Sequence, residues 1–329
     1  MIPAPIKRPY IFDLAPEVSV ARRCLDQGAR VFLVEWQPAA PDFGLAEFAD
    51  RLLLASLEAA GEEPPILIAH SLGGLLAAVF AALHPDRIRA LVLLAAPLHF
   101  APEASIFREL VSDLELAGLP GFLPGSFLSL ASVRASPETF AWERSVDLLQ
   151  SSLDPAALRN HLRVERWTLD ELAMPRRLFA ELAQLLVRED RFVRGSLQVG
   201  RQVAAPWRID APVLCVADPR CRIAPPQAVQ PFLDAIATAD KSLLEYEREV
   251  GVCLHHVGPL VGRRAHSELW PKILRWVGAH WSEEATAAKP VKPTAGNAED
   301  AEENREDAEK DRISSASSLF SSASSAFPL

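Results

Sequence analysis

Residues 66–78, ILIAHSLGGLLAA, set a serine where an apolar run suited to a buried strand gives way to a small-residue run suited to a helix. A tight strand-to-helix turn of this kind lifts a serine hydroxyl above the end of a sheet, and small neighbours keep the turn free of collisions. Ser71 is therefore the candidate nucleophile, with His70 before it and Gly73 and Gly74 after it. The amide of Leu72, at the helix start, is placed to face negative charge developing on a substrate oxygen. His70 and Gly73 are expected at the pocket. Ala69 stands where such turns usually carry their first glycine, and a methyl group is tolerable there.

A serine hydroxyl needs a base to remove its proton. Of the eight histidines, His255 and His256 lie in GVCLHHVGPLVG, between a strand pattern and the last helix pattern, where a side chain can reach across the sheet edge. His256, the last residue before the Val257-Gly258 turn, is the expected base, and His255 alternates away from the site. His84, ahead of Pro85 at a helix end, is expected to be structural. A carboxylate that orients the base would be sought on the loop 219–226, PRCRIAPP. Asp218, at the strand end, and Cys221, further along, are the two candidates for that third place. A neutral thiol is a weak hydrogen-bond partner and offers little compensation for imidazolium charge.

These residues need a scaffold, and the chain supplies one by alternation. Residues 18–29 and 43–61 read as helices that stop at Gly28 and Gly61, with a short apolar strand, RVFLVEW, at 30–36 between them. The strand PPILIAHS, a helix closing before Pro85, and the strand 87–97 follow. Buried strands separated by amphipathic helices indicate a mostly parallel α/β sheet covered on both faces. Residues 99–205 carry mainly helical periodicity and read as a helical cap inserted between the first part of the core, 1–98, and its second part, 206–282. In that second part strands are expected at 211–218 and 242–249, with helices at 227–238 and 265–281. The cap aromatics and leucine Phe122, Leu123, Phe127, Phe140 and Trp142 are expected mostly in the cap's own core. Arg188, Arg191, Arg194 and Arg201 are expected on a solvated face rather than on coenzyme A phosphates.

Composition removes several function classes. The 329 residues carry 34 Lys and Arg against 43 Asp and Glu, a formal charge of −9, which argues against a nucleic-acid partner. Four cysteines without a CxxC pair fit neither a disulfide scaffold nor a zinc ribbon. No metal-ligand spacing or nucleotide fingerprint stands out, so neither a metal nor a cofactor is expected. Apolar runs are too short for a transmembrane segment and the start lacks a signal-peptide pattern, leaving a cytoplasmic location as the expectation. Residues 283–329 carry ten acidic and five basic residues and end in a serine-rich stretch, the composition of a disordered tail dispensable for folding.

Residues 8–281 resemble the catalytic region of polyhydroxyalkanoate synthases, enzymes of the α/β-hydrolase superfamily that polymerise hydroxyacyl-coenzyme A thioesters. The resemblance is carried by RPYIFDLAPEVSVARRCLDQGARVFLVEW, PPILIAHSLGG, ALHPDRIRALVLLAAPLHF, ERWTLDELAMP, LVREDRFVRGSLQVG, IAPP and HHVGPLVG with WPKILRWV. It implies an α/β-hydrolase-like, mostly parallel sheet with a helical cap insertion. The family nucleophile is a cysteine, matched here by Ser71; its aspartate falls on Cys221; its histidine falls on His256. Lys7 stands where the family more often has asparagine. The sheet of the family begins with strands ahead of RPYIFDL, so the start of this chain is expected to be truncated or mis-assigned, or to lack an edge of the sheet that a partner covers.

The resemblance implies acyl transfer from a 3-hydroxyacyl-CoA thioester, through an acyl-serine, to a growing polyester. Two other functions stay open: a serine ester or thioester hydrolase, and a catalytically weak homologue that binds a polyester granule or a partner synthase. Serine for cysteine loses easy thiolate formation, and the missing aspartate removes help to the base.

Overall fold

A computed structural model describes residues 1–281 except 38, 39, 62, 103, 109, 110, 112, 113 and 248, so the expectation for the tail at 283–329 falls outside the described residues. The strands in chain order are β1 (Ile66–His70), β2 (Ala90–Leu94), β3 (Phe122–Leu123), β4 (Met174–Pro175), β5 (Leu197–Val199), β6 (Gln202–Ala204), β7 (Val213–Ala217) and β8 (Lys241–Glu245). Four of them form one parallel sheet in the order β1-β2-β7-β8.

Alternation along each strand explains why this sheet is covered on both sides. Leu67, Leu91, Leu93, Val213 and Cys215 enter one core, while Ile68, Val92, Leu94, Leu214 and Val216 enter the other. Side chains two apart share a face, so strands that are apolar throughout must be packed on both. His70 is in register with Leu94, and Leu94 with Val216. The carboxyl ends of β1 and β7 therefore open on the same edge of the sheet, which brings Ser71 and the 218–226 loop to one side.

The helices follow the expected order with tighter bounds. They are α1 (Val20–Asp26), α2 (Leu52–Ala60), α3 (Leu72–Leu83), α4 (Gly125–Ala135), α5 (Glu143–Ser151), α6 (Pro155–Leu169), α7 (Arg176–Glu181), α8 (Gln230–Ala235), α9 (Gly258–Val261) and α10 (Trp270–Trp281). Ser19 caps α1, its Oγ accepting the Arg22 amide at 2.9 Å, and the chain turns after it through Gly28 at φ 80°. All residues of α3 except Leu72 are buried, and burial of Leu75, Leu76, Val79 and Phe80 contributes about 2 kcal/mol each. This central helix starts directly after Ser71.

Two expectations need correction and a third gains detail. Residues 30–36 do not form a regular strand: their bonds are to the chain start, with the Met1 ammonium donating to Phe32 O at 2.7 Å and Val34 N to Met1 O at 3.0 Å. A ladder cannot extend beyond them, because Pro3, next along the neighbouring segment, has no N–H. That segment itself pairs with β1, Ile2 N donating to Ile68 O at 2.9 Å and His70 N to Ile2 O at 3.0 Å, so this flank of β1 is occupied. Residues 99–205 are mainly helical but include the hairpin β5-β6, which turns at Gly200. Finally, of the five apolar side chains expected in the cap core only Leu123 is buried, while Phe122, Phe127 and Trp142 are exposed and Phe140 is partly so. Leu128, Leu178, Leu182 and Leu186 of the insertion pack into the same core as α3, and Val164 and Trp167 of α6 into the core on the other face of the sheet, rather than into a core of the insertion's own.

Candidate active site

β1 ends at His70, and Ser71 takes φ 55° and ψ −130°, a conformation that costs a residue with a side chain about 1–3 kcal/mol. Bonds on both sides hold it there. Its N–H donates to Leu94 O at 3.0 Å, and its carbonyl accepts the amides of Gly74 and Leu75 at 2.9 and 3.2 Å, so α3 begins without a connecting loop. The two glycines serve close approach: a β-carbon on Gly73 would lie 2.4 Å from Pro3 O, and one on Gly74 would lie 2.6 Å from the Ala96 methyl. Leu72, the first residue of α3, lies beside the partly exposed Ser71 hydroxyl at the positive end of the helix.

His256 reaches this serine from a short turn, His255–Val257, ahead of α9. Its Nε2 is 2.7 Å from Ser71 Oγ. The preceding loop is fixed from the inserted helices: Asp147 accepts the amides of Gly251 and Cys253, both at 2.9 Å. Asn160 Nδ2 donates to Gly251 O at 2.8 Å and to Val261 O at 3.0 Å. Two residues of this loop, Gly251 and Cys253, have positive φ. His255 points away toward α5, 3.6 Å from Glu143, and His84 pairs with Asp50 at 2.7 Å, away from Ser71.

His70 stands behind the imidazole of His256 rather than in an open pocket. It is 3% exposed, its Nε2 is 3.0 Å from His256 O, and the two rings lie 4.9 Å apart. Burial holds the His70 imidazole down to about 4. Burial, with the His70 charge as a smaller contribution, also holds His256 well below its ordinary value, so both rings are neutral near pH 7.

Of the two candidates for the third place, the side chain that meets His256 Nδ1 is Cys221, with its sulfur at 3.5 Å. Asp218 is buried at the end of β7, and its Oδ1 accepts the Arg220 amide at 2.8 Å, shaping the turn that carries Cys221. The sulfur also receives the Ala224 amide at 3.4 Å. Burial pushes the thiol up to about 12, so Cys221 is an uncharged S–H group. The thiol can donate to Nδ1 or accept from it, each role belonging to one tautomer of His256. An imidazole that accepts at Nδ1 carries its own proton on Nε2 and then donates to Ser71 Oγ, the reverse of what a base must do.

Two surface depressions are lined by other residues, one by Leu57, Pro64 and Arg87 and one by Tyr10, Arg163 and Arg166. Arg188 is tied to the backbone, donating to Val111 O at 2.7 Å, whereas Arg194 and Arg201 are exposed as expected. The fold also brings together three side chains that the sequence did not single out, His161, Glu165 and Cys253, one donor atom from each lying within 4.8 Å of the others. The only local signal for this grouping is His161 and Glu165 at positions i and i+4 of one helix, since Cys253 is 88 residues beyond Glu165. No helix among the described residues is long and apolar enough to cross a membrane.

Comparison with known proteins agrees with this architecture. Residues 21–137 match the family described as alpha/beta hydrolase fold. The poly(3-hydroxyalkanoate) polymerase subunit PhaC of Haloferax mediterranei is 26% identical over 302 residues, which cover 88% of this chain and 60% of that protein. The PhaC subunit of Allochromatium vinosum is 25% identical over 282 residues, covering 83% of this chain and 78% of that protein. This chain thus spans less than two thirds of the length of the Haloferax and Haloarcula relatives. Among solved structures, BpoC from Mycobacterium tuberculosis H37Rv superposes with a TM-score of 0.52 at 16% identity over 85% of this chain and 91% of that one, a likeness of fold.

Proposed function

We propose that this α/β-hydrolase-fold chain, a distant relative of PhaC-type polyhydroxyalkanoate polymerases, is a slow acyl-transfer enzyme that takes 3-hydroxyacyl groups from coenzyme A thioesters onto Ser71. The observation that carries this reading is the 2.7 Å contact between Ser71 Oγ and His256 Nε2 at a serine held in a strained turn. In the first step Nε2 takes the hydroxyl proton while Oγ bonds to the thioester carbonyl carbon. The negative charge moves to the carbonyl oxygen, which faces the Leu72 amide. Collapse breaks the carbon–sulfur bond, and His256 returns the proton to the departing coenzyme A sulfur. The same imidazole then takes the proton of an incoming hydroxyl, whose oxygen bonds to the acyl carbon as the carbon–Oγ bond breaks, and returns that proton to Ser71 Oγ. A polyester end as that hydroxyl extends a chain; water in its place gives hydrolysis.

Segment Ile2–Ile6 passes close to the turn, with Pro3 O 2.4 Å from where a β-carbon on Gly73 would stand. Cys221 sets the rate. A thiol that donates to Nδ1 favours the unproductive tautomer and gives no countercharge to the imidazolium, and a comparable loss of the orienting carboxylate costs serine proteases about 10⁴ in turnover. The same feature favours a second reading, in which the chain acts by binding a polyester surface or a partner synthase with no turnover of its own.

Intact-protein mass after incubation with 3-hydroxybutyryl-coenzyme A separates the two. A hydroxybutyryl adduct on the wild type that is absent from Ser71→Ala supports acyl transfer. A folded wild type that gains no mass under any condition rejects it and leaves the binding reading.

A further inference from the structure

Behind the loop that carries His256, three side chains with different donor atoms converge. His161 and Glu165 stand one turn apart on α6, and Cys253 comes from the loop before His256. One ligand atom from each lies within 4.8 Å of the others, and Cys253 Sγ is already 3.1 Å from Glu165 Oε2. The edge of a zinc tetrahedron with nitrogen, oxygen and sulfur ligands is about 3.5 Å, so a rotamer-scale adjustment would seat an ion.

The surroundings orient these donors. Asp147 holds His161 Nδ1 at 2.6 Å, which fixes the proton on that nitrogen and leaves Nε2 as a lone pair. A carboxylate behind a ligating histidine is the usual partner in zinc centres. Arg144 engages the other carboxylate oxygen of Glu165 at 2.5 Å and also reaches the Cys253 thiol, so an incoming ion takes the place of the guanidinium at the sulfur while Arg144 keeps its bond to Glu165. His161 and Cys253 are both 2% exposed, while Glu165 is partly open to solvent and provides an entry path. When the thiol gives up its proton to an incoming ion, the charges of Asp147, Glu165 and the thiolate balance the Arg144 guanidinium and one dication.

From this geometry we infer that His161, Glu165 and Cys253 form a binding site for a single borderline-soft divalent cation, Zn²⁺ being the best fit, with a fourth position open to water. The nitrogen, oxygen and sulfur donor set disfavours Mg²⁺ and Ca²⁺, which take oxygen ligands. The bound ion pins Cys253, three residues before His256, to α6 and so stiffens the loop on which the imidazole sits. The site is independent of whether Ser71 is acylated.

The test uses the full chain, reduced and stripped of metal by a chelator, titrated with Co²⁺ while absorption is recorded and then with Zn²⁺. The wild type should take up one equivalent of Co²⁺ with a sulfur-to-cobalt charge-transfer band and four-coordinate visible bands, and Zn²⁺ should displace it. Cys253→Ser should lose the charge-transfer band, Glu165→Gln should bind at least tenfold more weakly, and Cys24→Ser should behave as the wild type. Zn²⁺ at about a hundredfold excess over its dissociation constant should raise the wild-type Tm by about 5 °C. A wild type that binds no Co²⁺, or a sulfur band that persists in Cys253→Ser, overturns the site. If Cys253→Ser does not fold, full-affinity binding by Glu165→Gln overturns it equally.

Discussion

Around Ser71 the bonds of a tight strand-to-helix turn are in place: the strained φ is held by Leu94, α3 starts at once, and two glycines admit the close neighbours. Around Cys221 the backbone is equally ordered, with Cys221 N donating to Asp218 O at 2.9 Å and Ala224 N meeting the sulfur. The two regions differ in what the side chains bring. The turn at Ser71 presents its hydroxyl to His256, whereas the loop presents an uncharged thiol where an orienting group would carry charge. Position and electrostatics are therefore separable. Backbone hydrogen bonds keep a loop in shape whatever its side chain, but the tautomer and charge of an imidazole depend on the one group it faces.

Substitutions on either side sharpen that contrast, and the largest effects belong to the turn. Ser71→Ala or His256→Asn should lower the rate of coenzyme A release from 3-hydroxybutyryl-coenzyme A by about 10³ or more, to background. If both variants keep wild-type rates, the turn is not the reacting centre. On the loop side, Cys221→Asp should raise the rate on the order of 10²-fold by restoring the productive tautomer. Combined with Ser71→Cys it should exceed the product of the single gains, because base orientation and nucleophile activation act as one unit. A fall in rate on restoring these residues would identify a distinct serine enzyme that the thiol suits.

The pH profile tests the same point through charge. A base must be neutral to act, and burial keeps His256 neutral well below pH 6.5, so wild-type activity should be flat from pH 8 down through pH 6.5 and be lost only at lower pH. In Cys221→Asp the nearby carboxylate favours the imidazolium, so the acid limb should move to higher pH. A wild-type limb already centred near 6.5 would show that the imidazole is more exposed to water than its burial indicates.

Smaller effects concern the packing that serves the turn. Gly73→Ala places a methyl against Pro3 O and should cost about 2 kcal/mol, read as a lower Tm. His255→Asn should change acyl transfer less than about threefold, since His255 faces Glu143 rather than Ser71. A loss as large as that of His256→Asn would reverse the assignment of the two neighbouring histidines.

Legible in the sequence were the central sheet, the strand-to-helix boundary at Ser71, the approach of His256 rather than His255 to that serine, and the presence of helices between 99 and 205. These rest on short-range patterns: period-two burial, helical spacing, glycine stops and a serine at a strand-to-helix boundary. It left Asp218 and Cys221 as alternatives, because both stand on one loop, and only the folded loop shows which side chain turns toward Nδ1. Long-range packing settled that Ile2 pairs with β1, that Phe122, Phe127 and Trp142 face outward, and that His161 and Glu165 meet Cys253. Each of these depends on contacts between segments far apart in the chain, where a residue's environment is set by what packs against it and no local periodicity records the partner.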